Sequence, residues 1–186
     1  MKQLIALVLC ASALAACGSA GRKHRKKVDE APPVDPAAWN GVATVAVMPP
    51  DCWTIDIDLE FVVWYRGVIN EILRQRGWGV VPCVQVNRTL NELRFGMAGE
   101  LSQLSPEETA TKFGCNAMLY WAILQSDSTI EIAFELIKAD GTKLWSSGSY
   151  KFKTPFLAHP EGAADSKSQS MAMALGEALK KFPVRP

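Results

Sequence analysis

An alternating stretch that ends in a tight-turn signal constrains the fold more than any other feature of this 186-residue chain. Residues 129–139 read TIEIAFELIKA, in which apolar side chains alternate with Glu131 and Glu135. This period of two predicts a strand with one buried and one solvated face. Asp140 and Gly141 follow as a strong hairpin signal, which predicts that residues 142–152 pair with this strand. We therefore expect an antiparallel pair of strands here.

The residues before this hairpin alternate between predicted strands and predicted helices. Three apolar runs are typical of buried strands: residues 42–48, 78–84 and 116–124. Helical periodicity or capping signals predict helices over residues 59–76, 86–95, 105–114 and 163–182, with Asn87 as the N-cap of the second. This order predicts a mixed sheet with a parallel βαβ start and an antiparallel meander at the end. We therefore predict an α/β fold, a single three-layer domain over residues 39–186 with flanking helices.

The N-terminus has the features of a secreted lipoprotein. Lys2 is followed by an apolar run at residues 4–9 and then by small residues, as in a secretory signal peptide. The run is too short for a stable membrane-spanning helix. It ends in the residues LAAC at positions 14–17, which resemble the lipobox of bacterial lipoproteins. We therefore expect residues 1–16 to be a cleaved signal peptide and Cys17 to be acylated, with palmitate among its chains.

Residues 17–38 are interpreted as the acylated cysteine and a flexible tether. They hold five Lys and Arg side chains within residues 22–27 and three prolines, with almost no large apolar residues. Two interpretations of the basic cluster stay open: contact with anionic lipid headgroups, at roughly 1 kcal/mol per side chain, or a solvated spacer. Gly18 stands where an Asp retains enterobacterial-type lipoproteins in the inner membrane. The periplasmic side of the outer membrane is therefore the favoured location.

The charge beyond the tether argues against one class of partner. From Val28 onward the chain has 14 Lys and Arg against 19 Asp and Glu, a net charge of −5. Nucleic-acid binding relies on cationic side chains that neutralise phosphates, and an acidic domain offers few of them. We therefore expect no nucleic-acid partner for this domain.

Four phrases in the domain resemble a known group of proteins. They are VATVAVMPP, GWGVVP, SPEETATKFGCNAMLYWAI and ADGTKLWSSGS, within residues 40–153. Together they resemble outer-membrane lipoproteins whose domain is similar to the N-terminal domain of TolB and to the curli-secretion lipoprotein CsgG. Cys115 departs from the pattern, because an acidic residue is commoner there, and the segment from Pro155 onward has no counterpart.

The resemblance implies an accessory subunit of an envelope assembly or secretion system that acts by protein contact. Members near CsgG form secretion pores, but this sequence lacks the long amphipathic hairpin pair that such a pore would need. A related type of lipoprotein activates a peptidoglycan synthase, which is an alternative function of the same kind. The shared phrases contain no catalytic residues, and we expect neither an enzyme nor a bound cofactor.

Two cysteines are candidates for a disulfide. Cys52 follows the first predicted strand and Cys83 closes the second. Both lie near the same carboxyl edge of the sheet if those strands are parallel neighbours. Their disulfide would close a loop of about 30 residues and stabilise the domain by about 3 kcal/mol in the chain-entropy model. We hypothesise this bond because the periplasm is oxidising. Three buried free thiols, with Cys115 as the third, are the alternative.

Acidic residues crowd the loop after the first strand, at Asp51, Asp56 and Asp58. Ligands of open α/β sheets bind beyond the carboxyl ends of strands, so a periplasmic small-ligand or cation-binding module is an alternative function. The spacing is not that of an EF-hand, and a solvated acidic loop is the favoured interpretation. No metal site is expected, because His24 and His159 are the only histidines and no CxxC or HxxxH spacing occurs.

Aromatic residues supply the candidate partner site. Most of the six tryptophans are expected to pack in the core. Exposed Trp and Tyr side chains, in contrast, are frequent anchors for protein partners. If one aromatic cluster binds the expected envelope partner, we predict that it consists of Trp53, Trp64 and Tyr65, at the acidic loop and on the first long helix.

Overall fold

The computed structural model describes residues 36–52, 59–95, 98–125, 129–153 and 163–185. The strands in these ranges are β1 (Thr44–Val47), β2 (Asp51–Cys52), β3 (Gly79–Val80), β4 (Ala117–Gln125), β5 (Thr129–Lys138) and β6 (Lys143–Lys153). The α-helices are α1 (Leu59–Gln75), α2 (Cys83–Leu93), α3 (Pro106–Phe113) and α4 (Ala163–Ala178). Two short 3₁₀ helices span Pro36–Trp39 and Ala98–Gln103. No helix among the described residues is long and apolar enough to cross a membrane.

The strands form one mixed sheet in the order β3-β1-β4-β5-β6. β1 is parallel to both β3 and β4, whereas β4, β5 and β6 pair antiparallel. Pro49 and Pro50 follow β1 and end its pairing with β4. After them, β2 pairs parallel with a later part of β4, beside Ala122 and Ile123. The predicted fold class is therefore confirmed: a parallel βαβ start precedes an antiparallel meander.

Helices cover both faces of the sheet and give the domain three layers. On one face, α1 and α4 pack on the apolar side chains of β1, β4 and β5, with Ile69 and Leu175 fully buried. On the other face, α2 and α3 bury Val86 and Phe113 against Met118 and neighbouring side chains. Along β5, buried and half-buried residues alternate as the sequence predicts, because only one face of this strand meets the larger core.

Local signals set the turn and the helix start that the sequence predicts. Gly141 adopts a φ of +86°, a region that favours glycine, and Asp140 Oδ1 accepts a hydrogen bond from the Thr142 amide at 2.9 Å. At the start of α3, Ser105 Oγ accepts from the Glu108 amide at 3.2 Å, while Glu108 accepts from the Ser105 amide at 2.8 Å. This reciprocal pair is a capping box, and both predicted features are confirmed.

The start of α2 corrects one prediction. The expected strand over 78–84 is only two residues long, and the helix begins at Cys83 with Pro82 as its N-cap residue. Proline lacks the N–H that a sheet ladder requires, so the strand ends there. Asn87 was predicted to cap this helix, but it lies four residues inside the helix.

The C-terminal segment belongs to the packed domain. The Arg76 guanidinium, just beyond α1, donates hydrogen bonds to the carbonyls of Lys180 and Phe182, just beyond α4. Trp78 Nε1 donates to the Pro183 carbonyl at 2.8 Å. These bonds join the segments that follow the C-terminal ends of α1 and α4.

Two buried ionisable groups predict alkaline unfolding. Burial raises the pKa of the Cys115 thiol from 9.0 to about 11, and burial raises the pKa of Tyr120 from 10.0 to about 12. The unfolded chain therefore loses these protons at a lower pH than the folded chain. Their stabilising effect is complete below pH 9 and is lost as the pH rises through the folded-state values.

We expect the free energy of unfolding, measured by urea titration, to fall between about pH 9 and pH 12. Cys115 alone accounts for about 3 kcal/mol of this decrease. The Cys115→Ala variant should therefore lose the slope between pH 9 and pH 10, Tyr120→Phe should lose the slope between pH 11 and pH 12, and each should keep a reduced slope between pH 10 and pH 11. Slopes equal to that of the wild type in both variants would contradict the assignment.

Candidate functional site

A buried arginine lies where α1 and α2 meet, beyond the carboxyl end of β1. Arg66 is only 2% exposed. Its Nε and Nη2 donate to the Val47 carbonyl at 3.2 and 3.0 Å, and its Nη1 donates to Asn87 Oδ1 at 2.5 Å. The guanidinium thus joins the last residue of β1 to the first turns of α2. No salt bridge to Arg66 occurs among the described residues.

Asn70 lies one turn further along α1 and is also 2% exposed. Its Nδ2 is 3.1 Å from Cys83 Sγ and 3.5 Å from the Val81 carbonyl, so it donates towards the start of α2. Its Oδ1 has no hydrogen-bond partner, and this is the only buried side-chain nitrogen or oxygen without one in the part of the chain that is described. We call Arg66, Asn70, Cys83 and Asn87 the carboxyl-edge cluster.

The electrostatics of the cluster are those of a cation removed from water. Burial lowers the pKa of the Arg66 guanidinium, and the negative charge that Cys83 can carry opposes this shift. Cys83 is the first residue of α2. Pro82, the N-cap residue of this helix, makes no side-chain capping bond. The positive end of the α2 dipole therefore adds to the potential of the guanidinium at Cys83.

The outward side of α1 carries a second feature, an exposed apolar surface. Val63 is 47% exposed and Trp64 is 44% exposed. Gly67, the next residue on this side of the helix, is also exposed, and a Cβ added to it would meet no atom of the described residues within 4 Å. We call these three residues the α1 outer surface.

The structure places the residues of the predicted partner cluster in different environments. Trp64 is exposed, but its neighbour Tyr65 is only 6% exposed and belongs to the main core, so its predicted role as a surface anchor is corrected. The two rings meet edge to face with centroids 5.4 Å apart. Trp53 lies outside the described residues, and its part of the hypothesis stays a prediction.

The predicted acidic site is described only in part. Asp51 is half-buried in β2, beside Ala122 of β4. Asp56 and Asp58 lie outside the described residues. A separate shallow depression of about 540 Å³ lies along the outer side of α2, lined by Val84, Asn87, Arg88, Asn91 and Glu92. Within the described ranges no group of three His, Cys, Asp or Glu side chains is placed to hold a metal ion.

The structure describes some of the predicted cysteine sites and not others. β1 and β3 are parallel neighbours, which was the condition set for a disulfide between Cys52 and Cys83. Cys83 carries a free thiol here, so this bond is not formed in the structure, and the pairing stays a prediction for the oxidised protein. Cys17, the predicted lipidation site, lies outside the described residues.

Sequence reasoning missed three members of the carboxyl-edge cluster, although one signal for them was present. Arg66 and Asn70 are four residues apart on the stripe of α1 that also holds the buried Ile69 and Leu73. Polar side chains at buried helix positions must find hydrogen-bond partners, so they mark a polar site inside the fold. Asn87 gave no comparable signal, because an asparagine near a predicted helix start is typical of a cap.

Comparisons with known proteins identify the fold. No family model and no curated protein matches the chain. Among solved structures, the lipoprotein GNA1162 from Neisseria meningitidis is 20% identical with a TM-score of 0.55, over 75% of this chain and 98% of that chain. A PelC dodecamer from Paraburkholderia phytofirmans is 16% identical with a TM-score of 0.48, over 78% of this chain and 90% of that chain. The LpoB C-terminal domain from Escherichia coli is also 16% identical, with a TM-score of 0.43, over 59% of this chain and 82% of that chain. The chain therefore shares the fold of a bacterial lipoprotein, GNA1162.

Proposed function

We propose that this chain is a lipid-anchored envelope protein that acts by binding another envelope protein through the α1 outer surface. The observation that carries the proposal is the pair of large apolar side chains, Val63 and Trp64, exposed next to a helix stripe that is fully packed. The exposed part of an apolar side chain on the solvent side of a helix gains no burial in the monomer, and exposed Trp is a preferred anchor at protein interfaces.

Gly67 supports the same proposal. Glycine inside a helix destabilises it by about 1 kcal/mol relative to alanine. None of the described residues requires glycine at this position, because none of their atoms lies within 4 Å of an added Cβ. A bound partner would account for Gly67, because the absence of a side chain there lets the backbone of another protein approach α1 closely beside Trp64.

The sequence supports the anchor and the reach of the protein. The lipobox at positions 14–17 attaches Cys17 to the membrane, and the fold is one that a solved bacterial lipoprotein also has. The composition of residues 18–35 predicts a flexible tether, which would span about 25 Å on average. The 3₁₀ helix Pro36–Trp39 already belongs to the described domain, which corrects the predicted end of the tether at residue 38. The domain can therefore meet a partner that stands in the periplasm above the outer membrane. An accessory role in assembly or secretion is the finer form of this proposal, and activation of a peptidoglycan synthase is its alternative.

Two variants test the surface in opposite ways. Trp64→Ala removes the anchor, and it should reduce the recovery of the crosslinked partner from intact cells by about tenfold. Gly67→Gln should raise the unfolding free energy by about 0.5–1 kcal/mol, because glutamine favours helix, and still reduce recovery by a similar factor by blocking close approach. A loss of binding together with a gain in stability cannot come from misfolding.

Val84→Ser is the matched control, because Val84 is an exposed apolar residue on a different helix, at 69% exposure. It should leave partner recovery unchanged. Equal recovery with Trp64→Ala and the wild type would overturn the proposal. So would capture of a second copy of this chain in place of a different protein.

A further inference from the structure

The described thiols have different surroundings. Cys115 is 9% exposed between apolar side chains, and burial raises its pKa to about 11, which describes an inert thiol. Cys83 is half-buried, and its Sγ is 3.1 Å from Asn70 Nδ2. Of these two thiols, Cys83 therefore combines access from solvent with a hydrogen-bond donor at the sulfur.

Positive potential converges on Cys83. It is the first residue of the 11-residue helix α2, whose N-terminus has no side-chain cap. Asn87, one turn later on the same side of α2, holds the buried guanidinium of Arg66. Thiol–disulfide exchange passes through a state in which negative charge is spread over the reacting sulfurs. The guanidinium and the helix dipole both stabilise such charge.

The unpartnered Oδ1 of Asn70 indicates which class of thiol would form a mixed disulfide with Cys83. This atom belongs to the same amide group as the Nδ2 that donates to Cys83 Sγ. A buried acceptor without a donor destabilises the protein until a donor arrives. Aminothiols such as cysteine carry an ammonium or amide N–H two carbons from the sulfur. Once bonded to Cys83, such a thiol would bring an N–H beside this oxygen.

We propose that Cys83 is a thiol–disulfide exchange site for small aminothiol disulfides. The sulfur of Cys83 attacks one sulfur of the disulfide, a new S–S bond forms to Cys83 and the old S–S bond breaks. The departing thiolate takes up the proton that Cys83 has lost. One protein thiol and one small disulfide thus give one mixed disulfide and one small thiol, with no further oxidant.

The test uses the full acylated chain in detergent, with Cys52→Ser present so that no neighbouring thiol removes the adduct. Cystine is the probe, and mass mapping of peptides gives the rate of adduct formation at each cysteine. We expect Cys83 to react at least about tenfold faster in the folded protein than in the same chain unfolded in urea. Cys115 should react only after unfolding. Equal folded and unfolded rates at Cys83 would overturn the proposal.

Variants and a second probe assign the effect to the cluster. Asn70→Ser and Arg66→Lys should each slow the reaction of folded Cys83 severalfold, whereas Asn91→Ala, on the outer side of α2, should leave it unchanged. If either cluster variant does not fold, hydroxyethyl disulfide, which lacks an N–H, provides the comparison on the parent protein. Cystine should form the more stable adduct by about tenfold. Equal adduct stability with the two probes would refute the role of Asn70 Oδ1.

Discussion

Replacement of Cys17 by serine is expected to move the protein from the membrane fraction to the soluble fraction almost completely. Without the thiol at position 17 the lipobox LAAC cannot be acylated, so the domain loses the acyl chains that are expected to hold it at the bilayer. Each buried CH₂ contributes about 0.8 kcal/mol, so two or three acyl chains give durable attachment where one chain holds only marginally. Fractionation after labelling with a palmitate analogue measures both acylation and location.

Cys10 provides a matched control inside the same signal peptide. Cys10→Ser changes a cysteine that directly follows the apolar run and is not at the lipobox position, and it should leave both labelling and membrane location intact. The basic cluster at residues 22–27 provides a second comparison. If it contacts anionic headgroups, its replacement by glutamine should weaken the residual attachment of the Cys17→Ser protein, at roughly 1 kcal/mol per side chain. A Cys17→Ser protein that stays labelled and membrane-bound would contradict the lipoprotein prediction.

Features set by neighbours in sequence were predicted best. The hairpin between β5 and β6 depends on alternation along one strand and on Asp140 and Gly141, all within one short segment. The capping box of α3 likewise involves residues only three positions apart. Such signals act before any tertiary contact forms, so the sequence displays them directly. The parallel start and the antiparallel end of the sheet then followed from the rules that govern βαβ connections and hairpins, whereas the order of the strands was not predicted.

Features set by distant residues were missed or misplaced. β2 is two residues long, and it exists because β4 extends beyond the end of β1 and offers a second partner at Ala122. Trp64 and Tyr65 are adjacent in sequence, yet one residue turns a helix by about 100°, which is enough to separate surface from core. The apolar pattern of α1 indicated which side of the helix is buried. It did not show that the boundary of this buried side falls between Trp64 and Tyr65.

The carboxyl-edge cluster shows the same limit for a functional site. Arg66 is 19 residues from Val47 and 21 from Asn87, its two hydrogen-bond partners. A charged side chain among apolar helix positions signals that a partner must exist, but it does not say which one. Only the meeting of α1 and α2 beyond β1 supplies that information. The acidic residues Asp51, Asp56 and Asp58 were more conspicuous in the sequence than this buried polar group.

Removal of the Arg66 side chain is expected to destabilise the domain more than removal of any surface charge. Arg66→Ala leaves the Val47 carbonyl and Asn87 Oδ1 without their donors inside the protein. The Val47 carbonyl is then a buried acceptor without this donor, which costs about 1–3 kcal/mol, and the lost side chain leaves a cavity as well. We expect the unfolding free energy to fall by about 3 kcal/mol and the melting temperature by on the order of 10 °C.

Two further variants separate hydrogen bonding from packing and charge. Arg66→Met keeps most of the buried stem, so a loss close to that of Arg66→Ala shows that the hydrogen bonds dominate. Arg66→Lys keeps the charge but cannot reach both acceptors with the forked geometry of a guanidinium, and it should give an intermediate loss. Arg88→Ala, an exposed arginine on α2, should change stability by less than about 0.5 kcal/mol. Urea titration of all four variants tests this order, and an Arg66→Met protein as stable as the wild type would show that the buried guanidinium does not hold α1 to α2.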